Sequence, residues 1–122
     1  MGKNVWVVED DASIAEIITY ILEEYGFAVS MFTTATKFVD ALRNETNKID
    51  VFIMDVMLPD GTGLDLCHLV RANAHYAQVP VVMMSAHADG SEVAHRCNIN
   101  DFIEKPFDLD EFSRRVVLSL AS

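Results

Sequence analysis

Two unbroken apolar runs, Val51-Phe52-Ile53-Met54 and Val81-Val82-Met83-Met84, constrain this chain more than any other feature. Neither shows the in-out alternation of a half-exposed strand. Each reads as a strand buried on both faces, the situation found in a parallel sheet covered by helices. An acid within such a run would be costly, but Asp55 stands at the carboxyl end of the first one, at the sheet rim. In open α/β sheets that rim is where ligands bind. Val56-Met57-Leu58-Pro59-Asp60-Gly61-Thr62-Gly63 follows as a turn-rich loop. Taken alone, Asp55 is equally well a strand-ending carboxylate that bonds loop amides.

The rest of the chain alternates in the same manner. Asn4 to Val8 reads as a short strand ending at Glu9-Asp10-Asp11. Ile14, Ile17, Ile18, Ile21, Leu22 and Tyr25 then recur at helical spacing, with Asp11 as the cap and Gly26 as the stop. Phe27 to Phe32 predicts a weaker strand, Ala35 to Arg43 a second helix and Leu64 to Arg71 a third. A short or irregular fourth helix is expected near Ser91 to Cys97, and Asp101 to Glu104 reads as a brief fifth strand. Asp108 and Glu111 have capping-box spacing ahead of a last helix with Leu109, Phe112, Val116 and Leu120 on its apolar face. Strand and helix in turn, five times over, is the pattern of a doubly wound parallel sheet with helices on both faces. Trp6, in the first strand, is expected in the core.

A length of 122 residues fits one domain, residues 1–122, without linker or repeat. The net charge of −10, from 19 acids against 9 bases, argues against direct nucleic-acid or membrane binding, both of which need basic patches. Cys67 and Cys97 have no CxxC or zinc spacing and read as reduced thiols, and no signal peptide is visible. A cytoplasmic location is therefore expected.

In a parallel sheet all carboxyl ends share one edge, so Glu9-Asp10, Asp55, Ser85 and Lys105 should converge there. Three carboxylates about 5 Å apart repel by roughly 3 kcal/mol per pair at an effective dielectric of 20. A cation, a proton or a function must offset that. An all-oxygen acidic site suits a hard cation, Mg²⁺ before zinc. Mg²⁺ takes one or two carboxylates and keeps positions for water and phosphate oxygens. A carboxylate can attack phosphorus, while Lys105 and Ser85 supply a charge and a hydroxyl donor for phosphoryl oxygens.

Together, Glu9-Asp10-Asp11, the Asp55-to-Gly63 run, Ser85-Ala86 and Lys105-Pro106-Phe107 resemble the receiver domain of two-component response regulators. The resemblance implies a flavodoxin-like five-stranded sheet of order 2-1-3-4-5. It implies Asp55 as phosphoacceptor, with Glu9, Asp10, Asp55 and the Met57 backbone carbonyl holding Mg²⁺ (Mn²⁺ as the alternative ion). Ser85 would be the switch hydroxyl, Lys105 the phosphate partner and Phe102 the aromatic that turns inward. A cis Lys105-Pro106 bond is expected with them.

The implied function is a signalling switch, phosphorylated by a histidine kinase or phosphotransfer protein and read by an output protein or domain. A phosphorylation-dependent homodimer is compatible with that. Such a protein catalyses only its own phosphorylation and dephosphorylation and is not otherwise an enzyme. An aspartyl-nucleophile phosphohydrolase is the alternative, but Met57 stands where such enzymes carry a second Asp. A degenerate receiver acting only as a binding module is the other, but the acid, hydroxyl and lysine set is complete. The segment before Phe102 departs from the family pattern. There Asn98 replaces the usual Gly, acceptable because Asn tolerates the left-handed conformation. His87 flanks the site without an assigned role, and His68, His75 and His95 read as surface residues.

Overall fold

In the computed structural model, which describes residues 2–86, 92 and 95–120, the two apolar runs lie side by side at the centre of a parallel sheet. The elements are β1 (Asn4–Val8), α1 (Ala12–Glu24), β2 (Ala28–Phe32), α2 (Ala35–Arg43), β3 (Val51–Asp55), β4 (Met57–Leu58), β5 (Gly61–Thr62), α3 (Gly63–Ala72), β6 (Val81–Ser85), β7 (Asp101–Glu104) and α4 (Leu109–Leu120). The main sheet has the order β2-β1-β3-β6-β7, with every pairing parallel. This is the expected 2-1-3-4-5 order, the numbers displaced by a two-residue antiparallel ribbon, β4 and β5, that the sequence did not announce. Of the helix expected near Ser91 to Cys97, Ser91, Val93 and Ala94 lie outside the described residues, and His95 to Cys97 form a turn and bend rather than helix. No helix among the described residues is long and apolar enough to cross a membrane.

Every residue of β3 and β6 is buried. Successive side chains of a strand point to opposite faces, so these runs feed two cores at once. Phe52, Met54, Val81 and Met83 join Phe38 and Leu42 of α2 and Leu66, Cys67 and Val70 of α3. Val51, Ile53, Val82 and Met84 join Ile18 and Leu22 of α1 and Phe112 and Val116 of α4. The first layer is aromatic: Trp6 meets Phe38 and Phe52 edge to face at 5.8 and 6.3 Å, and Phe52 meets Tyr76 at 5.9 Å.

The predicted punctuation holds for α1. The Asp11 carboxylate accepts the Ile14 amide at 3.1 Å, and Gly26 takes φ +86° just past the helix, where a side chain would be strained. One allowance goes unused and one expectation fails. No non-glycine residue among those described has a positive φ, so Asn98 is not left-handed. Its carbonyl instead accepts Arg71 Nε at 2.9 Å, and Arg71 also donates to the carbonyls of Ala77 and Val79 and to Asn100. Cys67 and Cys97, expected as reduced thiols, are paired as a disulfide, with Cα atoms 6.4 Å apart across 30 residues of sequence. A separation that long carries no local spacing motif. Only the packing of α3 beside the segment entering β7 brings the two together.

Candidate phosphoacceptor site

Four strands deliver the site. Glu9 leaves β1, Asp55 ends β3, Ser85 ends β6 and Lys105 follows β7. Glu9, Asp55 and Ser85 are buried, whereas Asp10 is exposed. Carboxylate oxygens of Glu9, Asp10 and Asp55 lie within 4.8 Å of one another. Lys105 Nζ donates to Glu9 Oε1 at 2.5 Å and to Asp55 Oδ2 at 2.6 Å, bridging the two buried acids. The remaining oxygens are also engaged. Asp11 N donates to Glu9 Oε2 at 3.0 Å, and Met57 N to Asp55 Oδ1 at 3.1 Å.

Burial pushes the Glu9 carboxyl above its usual range, against the pull of Lys105 and the Asp11 amide; the nearby Asp55 charge pushes the same way as burial. Burial works to lower the Lys105 ammonium, but its hydrogen bonds to Asp55 and Glu9 and their charges outweigh that, leaving it above its ordinary value.

Backbone contacts fix the rim. The Lys105 amide donates to the Ser85 carbonyl at 2.9 Å, the Val56 amide to the Met84 carbonyl at 2.8 Å, and Lys105-Pro106 is cis as expected. Met57 opens the β4–β5 ribbon with an exposed side chain. Phe102 is half-buried against the aromatic layer. Arg115 of α4 holds its strand, donating to the Phe102 carbonyl at 2.7 Å and to both Asp101 oxygens. His68, His75 and His95 are exposed, and His87 lies outside the described residues.

Asp60 was visible in the sequence only as a turn residue. Its carboxylate accepts the Ala35 and Thr36 amides at 2.8 and 3.0 Å and the Thr36 hydroxyl at 2.5 Å, adding to the Thr34 cap of α2. The loop that begins at Asp55 is thereby pinned to the amino end of a helix, where a negative charge is favoured. Hydrogen bonds from the Thr36 hydroxyl and amide, then from Ala35, hold Asp60 below its ordinary value of 3.8. A lowered carboxyl stabilises the fold above the unfolded-state value and loses that contribution as pH falls through the folded-state value. The melting-temperature deficit of Asp60→Ala is therefore expected in full above about pH 4 and should close in stronger acid. Thermal melts of both proteins across that range check it; a constant deficit would assign the loss to something other than the charge.

A family model described as the response regulator receiver domain matches residues 5–117. The chain belongs to this family. Receiver domains are signalling modules. Among curated relatives, the DNA-binding response regulator MtrA of Mycobacterium tuberculosis is 35% identical over 118 residues, covering 95% of this chain and 50% of that protein. The transcriptional regulatory protein CreB of Escherichia coli is 34% identical over 116 residues, covering 93% and 49%. The chain thus spans about half the length of these relatives.

Solved structures show the same fold. A CheY-like receiver domain protein from Methanospirillum hungatei superposes with a TM-score of 0.88 at 22% identity, covering 99% of this chain and 95% of that one. The receiver domain of the sensor histidine kinase PA1611 from Pseudomonas aeruginosa, described with a coordinated magnesium ion in its active-site cleft, gives 0.88 at 24% identity, each chain covered in full.

Proposed function

We propose that this receiver domain is a phosphorylation switch with Asp55 as its acceptor. The observation that carries the reading is the cluster itself: three carboxylates within 4.8 Å, two of them bridged by one half-buried ammonium. Glu9, Asp10, Asp55 and the Met57 carbonyl would hold Mg²⁺, with Mn²⁺ as a substitute; an all-oxygen donor set suits either. The bound ion would neutralise the acids and the charge that develops on phosphoryl oxygens.

An Asp55 oxygen attacks phosphorus on a phosphohistidine of a kinase or phosphotransfer protein. The P–N bond breaks, and the leaving imidazole takes up a proton. Lys105 shifts from the Asp55 carboxylate to a phosphoryl oxygen, and the Ser85 hydroxyl donates to another. With Ser85 drawn toward the phosphoryl group, Phe102 turns into the space beside β6 and the face around β7 and α4 changes for an output protein or domain. Water attack on phosphorus returns Asp55 and phosphate, the only turnover this site supports. The Met57 thioether offers no acid or base for general phosphohydrolysis.

The DNA-binding name of MtrA describes a protein twice the matched length. With a net charge of −10, this domain makes no nucleic-acid contact of its own. It works in the cytoplasm, where its phosphodonors reside. A small phosphodonor with Mg²⁺ should add one phosphoryl mass to the wild type and none to Asp55→Asn, read by intact-protein mass spectrometry. Equal labelling of both proteins would overturn Asp55 as the acceptor.

A further inference from the structure

The Cys67–Cys97 pair lies outside the phosphoryl chemistry, yet it joins α3 to the segment that leads into Phe102. Cys67 is in the second turn of α3, the helix that begins where the acceptor loop ends. Cys97 stands five residues before Phe102, in the stretch between the Ser85 hydroxyl and that aromatic. Both sulfurs belong to the core layer against which Phe102 packs, together with Met83.

The neighbouring residues show what the cross-link adds. Arg71, one helical turn beyond Cys67, already holds the Asn98 carbonyl and the Asn100 side chain. Asn100 is pinned to β6 in turn, its Oδ1 accepting the Val81 amide at 2.9 Å and its amide donating to the Val81 carbonyl at 2.8 Å. These polar bonds hold residues 98–100 to α3 and β6 in the disulfide-bonded form. Cys97 is the next residue upstream, and only the sulfur bond fixes it covalently to α3.

We propose that Cys67 and Cys97 form a reversible, peroxide-made cross-link that ties the segment entering β7 to α3 and damps the response of the Phe102 face to phosphorylation. The reading rests on the phosphoswitch proposed above. Disulfides of intracellular proteins are usually transient and redox-sensing. Cys97 is 9% exposed and Cys67 fully buried, so the oxidant meets Cys97 first. Its thiolate attacks the O–O bond of a hydroperoxide, giving a sulfenic acid and, after proton uptake, water or an alcohol. The Cys67 sulfur then attacks Cys97 Sγ, the S–O bond breaks, and the proton lost from Cys67 leaves with the hydroxide as water. Two thiols lose two electrons and one peroxide is reduced. A dithiol reverses the bond by exchange.

The test compares the dithiol-reduced and the hydrogen-peroxide-treated protein. Alkylation after denaturation should tag both cysteines in the reduced form and neither in the oxidised form. Reduction should lower the melting temperature by roughly 10 °C, the loss expected on opening a loop of this length in a chain of this size. Beryllofluoride with Mg²⁺ should change backbone hydrogen exchange over residues 95–104 in the reduced protein and change it several-fold less in the oxidised one. Cys97→Ser and Cys67→Ala should respond like the reduced protein after either treatment. Cysteines that remain alkylatable after peroxide, or equal exchange responses in the two forms, would overturn the proposal. A reduced protein that ignores beryllofluoride overturns the phosphoswitch reading instead, and the cross-link is then judged by the melting temperatures, whose equality would overturn it.

Discussion

Lys105→Ala is expected to lower the melting temperature of the metal-free protein by roughly 10 °C or more, from a loss of about 3 kcal/mol or somewhat above. The ammonium lies between two carboxylates, one with no exposed side-chain surface and the other 8% exposed. Forming such a buried pair gains little over an apolar pair, but removing one member strands the other charge without water to solvate it. Here two carboxylates are stranded together, with Asp10 close by. Proton uptake by Glu9, whose carboxyl burial already favours the neutral form, limits the loss. Adding Glu9→Gln to Lys105→Ala should therefore restore most of the stability. Mg²⁺ should raise the melting temperature of Lys105→Ala more than that of the wild type, because the ion no longer competes with the ammonium. A single variant that melts within a degree or two of the wild type would show that the lysine does not neutralise these acids.

Gly63→Ala should cost about 1–3 kcal/mol, visible as a fall of roughly 5–10 °C in melting temperature, and should slow phosphoryl acceptance. A Cβ on Gly63 would overlap the carbonyl oxygen of Asp55 and lie 3.1 Å from the Met83 sulfur. The first obstacle is backbone, held in place because Gly63 N donates to the Val56 carbonyl at 2.9 Å and Val56 N to the Met84 carbonyl. The loop can make room only by moving the strand end at Asp55. Gly61→Ala, two residues earlier, is the control. Its Cβ would meet only the Ala35 methyl, at 3.3 Å, so a much smaller effect on both readouts is expected. Equal effects at the two positions would refute the close approach at Asp55 as the cause.

The sheet and the cluster at its edge were legible because their signals are local. Apolar runs identify strands, and the polar residue that ends each run is the one the parallel arrangement delivers to the rim. Asp11 and Gly26 marked the ends of the first helix for the same local reason. What could not be read depends on residues brought together by the finished fold. Asp60 meets the amino end of α2 across 25 positions, Arg71 meets Asn98 across 27, and Cys67 meets Cys97 across 30. The β4–β5 ribbon has two residues per strand, too few to show any period. Asn98 was read by its conformational tolerance, whereas its carbonyl bond to Arg71 sets its place.

β3 has no exposed residue, and its neighbours on both sides are hydrogen-bonded strands. Amides in such a position open only when the whole domain unfolds, while rim loops open at far lower free energy. Asp55 is thus attached to the part of the molecule that exchanges slowest with solvent, and Ser85 shares that property at the end of β6. On the phosphoswitch reading proposed above, the lifetime of a phosphoryl group on Asp55 would be set by water reaching phosphorus past the loops, not by breathing of the strand beneath it. On that reading, changes in the loops would retime the signal while the strand that carries it stays as it is.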